Sequence, residues 1–308
     1  MKKFYLLLAF VAFALQMRAQ DQAIFTHYHV SPILINPSVA GFDDVHNIQL
    51  NFRNQWTGFP GSPFTYAASY HGPIGKTLGV GANVLSENIG SLNRVRLQLN
   101  YAFRYQIKDV RLAIGFSTEF SNTSLQNSTT DNPFYEAGDL VLEEYMGGQK
   151  VFDATLGFYG NFKDQTFVGL SFPNLIVTKI SDIQSSDPEG SFFKYFVFQL
   201  GHKFKSPTTN ISIEPSIMMR RLLNVPFQSD FNLKLGFLDD RLVTGLAYRA
   251  GLGGSLGLLL GTETNNFRLF YSYDVSFQRF QQYNSGAHEV TIAFKIPSKS
   301  KKPVIPGK

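Results

Sequence analysis

The chain has 308 residues, of which 15% are aromatic and only 17% charged, with 26 glycines and no cysteine. A soluble domain carries nearer a quarter charged residues, so this composition suits a surface that faces lipid. The lack of cysteine excludes a disulfide framework and a lipidated N-terminus.

Residues 1–19 read as an export signal: Lys2 and Lys3 are the positive start, Phe4 to Leu15 the apolar core, and Ala19 before Gln20 the cleavage point. The core is shorter than the roughly 18 apolar residues a membrane-spanning helix takes. Removing Lys2, Lys3 and Arg18 from the 28 basic residues leaves 25 against 23 acidic ones, a net of +2. Four of the remaining lysines (Lys299, Lys301, Lys302, Lys308) lie in the Lys/Pro-rich tail 298–308, which reads as disordered. No basic face for nucleic acid is left.

Residues 20–45 hold Pro32, Pro37 and Gly41 among apolar Ile24, Phe25, Tyr28, Ile33, Leu34 and Ile35. Such a segment needs cover, and is expected to pack inside a lumen or against a periplasmic rim. From there to residue 297 the dominant period is two. Val95, Leu97, Leu99, Tyr101 and Phe103 alternate with Arg94, Arg96, Gln98, Asn100, Ala102 and Arg104; Phe231, Leu233, Leu235 and Phe237 alternate with Asp230, Asn232, Lys234 and Gly236. Strand side chains point to opposite faces in turn, so each segment has one apolar and one polar face. Such segments begin near Asn47, Phe64, Thr77, Asn93, Val110, Val151, Gln165, Phe192, Asn210, Phe227, Arg241, Gly254, Asn266 and His288. That makes about fourteen, an even number, as a closed outer-membrane barrel requires.

Loop length sorts by parity. The long connections, 121–150 and 173–190, follow the fifth and seventh segments, while Gly72-Pro73-Ile74-Gly75, Lys108-Asp109, Lys163-Asp164 and Asp239-Asp240 are tight even-numbered turns. Long outer loops with short periplasmic turns are the barrel pattern; a soluble β-sandwich has period-two strands but no reason for the sorting. The fold expected is therefore an all-β transmembrane antiparallel barrel over 46–297, after an N-terminal periplasmic or plug segment.

Several constellations invite chemistry. Gly79-Val80-Gly81 and Gly251-Leu252-Gly253 lack the third glycine and the helix of a dinucleotide site. His27-Tyr28-His29 would set two imidazoles on one side of an extended segment, too few ligands for a metal. His71 and His288 lie near Ser69 and Ser285, a pairing that chance alone supplies. Glu143-Glu144 reads as a solvated pair in the longest loop. Trp56, Phe59, Tyr66 and Tyr70 read as an outer aromatic girdle. Arg94, Arg96, Arg104 and Arg111 share a lumen face, either paired with acids such as Glu119 or forming an anion-selective constriction. No enzyme activity, cofactor or metal is expected.

Four blocks resemble the PorP/SprF family of the Bacteroidetes type IX secretion system. They are Ile24-Phe25-Thr26-His27-Tyr28 leading to Asn36-Pro37-Ser38-Val39-Ala40-Gly41; Arg53-Asn54-Gln55-Trp56 with Gly61-Ser62-Pro63 and Ser69-Tyr70-His71-Gly72-Pro73; Leu78-Gly79-Val80-Gly81 running to Asn88-Ile89-Gly90; and Tyr271-Ser272-Tyr273-Asp274 with Ser285-Gly286-Ala287-His288-Glu289-Val290. His27 stands where Gln is usual, and the basic tail extends past the last strand. The resemblance implies an outer-membrane component of secretion or gliding motility that docks or localises secreted surface proteins or adhesins. Its partners would be that cargo, periplasmic envelope-anchoring or secretion proteins, and outer-membrane lipid. Asn36, Pro37, Gly41, Arg53, Gln55, Trp56, His71, Tyr273, His288 and Glu289 are the family-motif residues and candidate partner contacts. The alternative from the residues alone is a general channel for small solutes.

Overall fold

The computed structural model describes residues 25–126, 138–180, 193–206, 208–223, 225–251 and 253–298. The expected export signal and the lysines of the tail lie outside them. Fourteen long strands form the wall: β1 (Val45–Asn54), β2 (Phe64–Ile74), β3 (Leu78–Ile89), β4 (Leu92–Ile107), β5 (Val110–Leu125), β6 (Gln149–Phe162), β7 (Thr166–Phe172), β8 (Phe196–His202), β9 (Ser212–Leu222), β10 (Val225–Phe237), β11 (Leu242–Ala250), β12 (Ser255–Glu263), β13 (Phe267–Ser276) and β14 (Ala287–Pro297). Each pairs antiparallel with its neighbours in the chain, and β14 pairs with β1 from Val45↔Pro297 to Asn54↔His288. The sheet closes on itself, so no strand edge faces lipid with unpaired backbone groups.

The two faces settle which way the wall looks. In β1, Asn47, Gln49, Asn51 and Arg53 are at most 5% exposed, while Ile48 and Leu50 between them are 42% and 38% exposed. The other strands repeat the pattern, with Leu97, Tyr101, Ile114, Leu246 and Leu258 outside and Asn100, Ser117, Thr155 and Ser272 inside. A one-faced sheet in water turns its apolar side to the core; this one turns it outward, as a cylinder in a bilayer must.

Thirteen of the strands begin within two residues of the expected points, and β8 begins at Phe196 rather than near Phe192, which lies outside the described residues. Gly72 to Ile74 belong to β2 and not to a turn; the turn is Gly75 to Thr77. Lys163 and Asp164 both adopt positive φ, 55° and 54°, the hairpin geometry that matches strand twist. One even-numbered connection is longer than expected: residues 203–211 carry the two-residue strand Phe204–Lys205, paired with β9. The long connection after β5 contains a short helix, α1 (Leu140–Gly147), where Glu144 pairs with Lys179 at 2.8 Å. Strands β4 and β5, 16 residues each, exceed the roughly 9–11 that cross a bilayer.

Candidate functional site

The lumen is occupied by the chain's own N-terminal segment. Residues 25–44 run as three 3₁₀ turns, His27–His29, Pro32–Leu34 and Pro37–Val39. Ile33, Ser38, Ala40 and Phe42 are at most 2% exposed. Proline opens the second and third turns, which fixes φ where the chain must bend repeatedly in a narrow space. From β1 the segment rises through the lumen toward the long-loop end, and each part of it has a seat on the wall.

The lower seat lies near the short turns. Arg104 donates to the Gly41 carbonyl and pairs with Asp44 at 2.6 Å, and Arg111 donates to the Phe42 carbonyl at 3.1 Å while lying over its ring. The Gly41 N–H donates to His71 Nδ1 at 3.2 Å. Asn36 Oδ1 accepts from the Ser38 N–H and hydroxyl, and its amide donates to the Phe158 carbonyl at 3.0 Å. Inward glycines let the segment approach this closely. A Cβ at Gly79, Gly115 or Gly157 would fall well inside contact distance of Ala40, of the Ser38 backbone or of Asn36 Oδ1 respectively. Glycine in a strand interior marks such an approach of another backbone.

The upper seat lies across the seam between the first and last strands. Glu289, fully buried on β14, accepts the N–H groups of Thr26 at 2.7 Å and His27 at 3.0 Å, one on each carboxylate oxygen. Arg53 on β1 joins Glu289 at 2.9 Å to Asp274 at 2.8 Å, and the Thr26 hydroxyl donates to Asp274 at 2.5 Å. His27 Nδ1 lies 2.7 Å from the Thr291 hydroxyl. Burial holds the His27 imidazole, which belongs to the plug and not to a spanning strand, below its usual pKa against the pull of Glu289 and Asp274. Tyr28 accepts from Asn232 at 2.8 Å, so the segment touches β10 as well. Open space remains on both sides of the plug: about 250 Å³ toward the short turns and about 90 Å³ toward the long loops.

Six of the ten candidate residues therefore meet in one structure. Asn36, Pro37 and Gly41 are plug; Arg53, His71 and Glu289 are its seats. Gln55 and Trp56 stand apart at the outer rim, with Trp56 packed edge-on against Phe280 at 5.3 Å. Tyr273 and His288 face outward side by side at 5.0 Å, and His288 Nδ1 lies 2.7 Å from the Tyr271 hydroxyl. Thr26, Arg104, Asp274, Gly115 and Gly157 complete the seats and are absent from the candidate set. The inward position of Gly115 and Gly157 on period-two strands was the signal available for the two glycines.

Of the other expectations, the extended histidine pair, the single outer girdle and the arginine constriction are corrected, and the pairing of lumen arginines with acids such as Glu119 is found. His27 and His29 sit on a 3₁₀ turn with rings edge-on at 6.5 Å, and among the described residues no cluster suited to a metal ion is found. Neither His71 nor His288 is hydrogen-bonded to a serine; their partners are Gly41 and Tyr271. Tyr70 stacks on His46 at the short-turn end of β2, far from Trp56, so no single girdle joins them. The four lumen arginines divide between the two ends of the barrel: Arg94 and Arg96 reach Glu87, Arg96 also reaches Glu119, and Arg104 and Arg111 hold the plug. Ten residues of strand, roughly 33 Å, separate Arg94 from Arg104, so no single constriction forms.

Comparison with known proteins agrees with this geometry. The family model described as type IX secretion system membrane protein PorP/SprF matches residues 17–294, so the chain belongs to that family. No curated protein matches it. Among solved structures, the toluene transporter TbuX of Ralstonia pickettii has a TM-score of 0.53 at 9% identity, covering 87% of this chain and 93% of its own. The P. putida toluene transporter TodX has a TM-score of 0.50 at 10% identity, covering 85% and 92%. The monoaromatic hydrocarbon channel CymD has a TM-score of 0.50 at 11% identity, covering 91% and 94%. At these identities the likeness is one of fold: an outer-membrane β-barrel.

Proposed function

We propose that this member of the PorP/SprF family works by binding and not by turnover, as a docking and assembly element that localises secreted cell-surface protein at the outer membrane. The outer connections, 126–148 and 173–195 between the strands and expected from the sequence at 121–150 and 173–190, are the surfaces offered to cargo. The short turns and the basic tail 298–308 are those offered to the periplasmic machinery, after an export signal over 1–19 is removed. One observation carries the preference over a general solute channel. The lumen is threaded by the chain's own segment, with Ile33, Ser38 and Ala40 almost fully buried. A wall whose glycines accommodate that segment is suited to holding a plug.

A clean chromosomal deletion tests the reading. The expected result is loss of a secreted protein from the cell surface, with release or retention of that cargo and an otherwise intact envelope. Normal surface display in the deletion would overturn it. Planar-bilayer recording separates the rival: a docking barrel gives little steady conductance, whereas a general channel conducts without any stimulus.

A further inference from the structure

The larger of the two spaces left by the plug, about 250 Å³, lies at the short-turn end of the lumen. A water takes roughly 10–15 Å³ of such space, so there is room for about twenty of them, or for a few residues of extended chain. Val30, Ile33 and Val39 of the plug line it on one side. On the wall, the half-buried rings of Tyr159 and Phe167 lie stacked at 6.3 Å.

The bases around this space are already paired. Lys203 meets Asp240 at 2.5 Å, Lys234 meets Glu214 at 2.8 Å, and Arg268 meets Glu263 at 2.7 Å. Two acids of the lining are not. Asp43, where the plug joins β1, and Asp164, in the turn between β6 and β7, are exposed and have no ion-pair partner among the described residues. They stand on opposite sides of the mouth, since β6 and β7 lie about half-way round the fourteen-strand wall from β14 and β1. The lining thus offers, in order across the mouth, a carboxylate, apolar and aromatic surface, and a second carboxylate.

The chain supplies a segment with a matching order. Strand β14 ends where Pro297 pairs with Val45, two residues from Asp43. Residues 299–308 follow, outside the described part. They hold Lys299, Lys301 and Lys302, then Pro303-Val304-Ile305-Pro306, then Lys308, and no acid. Fourteen strands about 4.8 Å apart and tilted about 40° enclose a cylinder roughly 28 Å across. Ten residues at about 3.1 Å each, the extended rise that proline favours, span roughly 31 Å. We propose that this basic tail docks in its own barrel, laid across the short-turn mouth. The first lysines meet Asp43, Val304 and Ile305 cover Tyr159 and Phe167, and Lys308 meets Asp164. A periplasmic protein that binds the tail then has to draw it out of the mouth.

The chain has no cysteine, so an introduced pair reports on the tail alone. The full-length mature barrel, folded in detergent, carries Gly307→Cys with either Gln165→Cys, beside Asp164, or Lys108→Cys, in the turn between β4 and β5. That turn is nearer to β14 round the wall, so a tail moving freely in solvent reaches it at least as often. Disulfide formation under mild oxidation is followed by gel shift. The Gln165 pair should form about tenfold faster than the Lys108 pair, the combined worth of two exposed ion pairs. Asp43→Asn together with Asp164→Asn should remove most of that difference, with the heat-modifiable mobility of the barrel unchanged. Equal rates in the two pairs, or a preference for Gln165 undiminished by the loss of both carboxylates, would overturn the proposal. Cargo display is a separate readout, so this contact can fail while the docking reading stands.

Discussion

Glu289→Ala is the sharpest test of the plug's upper seat. The wild-type carboxylate is fully buried and accepts three hydrogen bonds, from the Thr26 and His27 backbones and from Arg53. Hydrogen bonds to a charged group contribute about 1.5–3 kcal/mol each. Removing one partner of a buried ion pair costs about 3–5 kcal/mol, because the other charge is left stranded. Arg53 keeps Asp274 at 2.8 Å, so it is not wholly stranded and the low end of that range applies. About 3 kcal/mol corresponds to roughly two decades in the ratio of seated to released plug. The wall should survive, since β1 and β14 remain joined along ten residue pairs from Val45↔Pro297 to Asn54↔His288. The assay is limited proteolysis of the detergent-folded barrel with N-terminal sequencing, alongside single-barrel conductance. Cleavage between residues 25 and 35 at a rate roughly a hundredfold above wild type, together with intermittent conductance, is the expected result. A variant as protease-resistant and as silent as wild type would refute the assignment of Glu289 as an anchor.

Gly115→Val places a side chain where the Ser38 backbone lies, so the lower half of the plug should leave its seat; proteolysis of 36–44 with unchanged heat-modifiable mobility of the barrel would show it. Leu258→Arg puts a charge on the lipid face of β12, where Leu258 is 56% exposed; folding into vesicles should lose about 2–4 kcal/mol at the bilayer midplane, while Asn100→Ala on the lumen face should fold as wild type. His27 carries a pH prediction. Burial depresses its pKa in the seated plug, so below about 6.5 the released segment takes up a proton that the seated one refuses. The stability of seating is therefore complete above that pH and is shed as pH falls through the window beneath it. Proteolysis of the plug should be faster at pH 5 than at pH 7.5, and His27→Gln should flatten the dependence.

The wall was legible in the sequence because a barrel strand states its inside and outside in alternate residues. Phe231, Leu233 and Leu235 against Asp230, Asn232 and Lys234 need no tertiary information to be sorted, and turn residues such as Lys163-Asp164 mark the ends. The plug was less legible. Its 3₁₀ turns follow no hydrophobic period, so His27 and His29 read as neighbours on an extended strand when they are not. Asp274 and Arg104 look like any inward charge of a lumen until the segment they hold is placed beside them. The arginines failed for a related reason: sharing a face along β4 and β5 says nothing of height along the barrel, and it is height that separates Arg94 and Arg96 from Arg104 and Arg111.

Closure and plugging are linked by the placement of charge. The two strands that meet last in chain order, β1 and β14, carry Arg53 and Glu289 directly opposite each other on the inward face. An ion pair facing an empty lumen would be solvated, and solvated pairs contribute about 1 kcal/mol or less. With the plug seated, the same pair is dry, and the two N–H groups of Thr26 and His27 satisfy the carboxylate that Arg53 alone does not fill. The dry pair is then costly to open, because every route apart strands a buried charge. The segment that blocks the lumen thus also tightens the seam. Loss of the plug should be felt first as loosening between β1 and β14, before any other pair of strands.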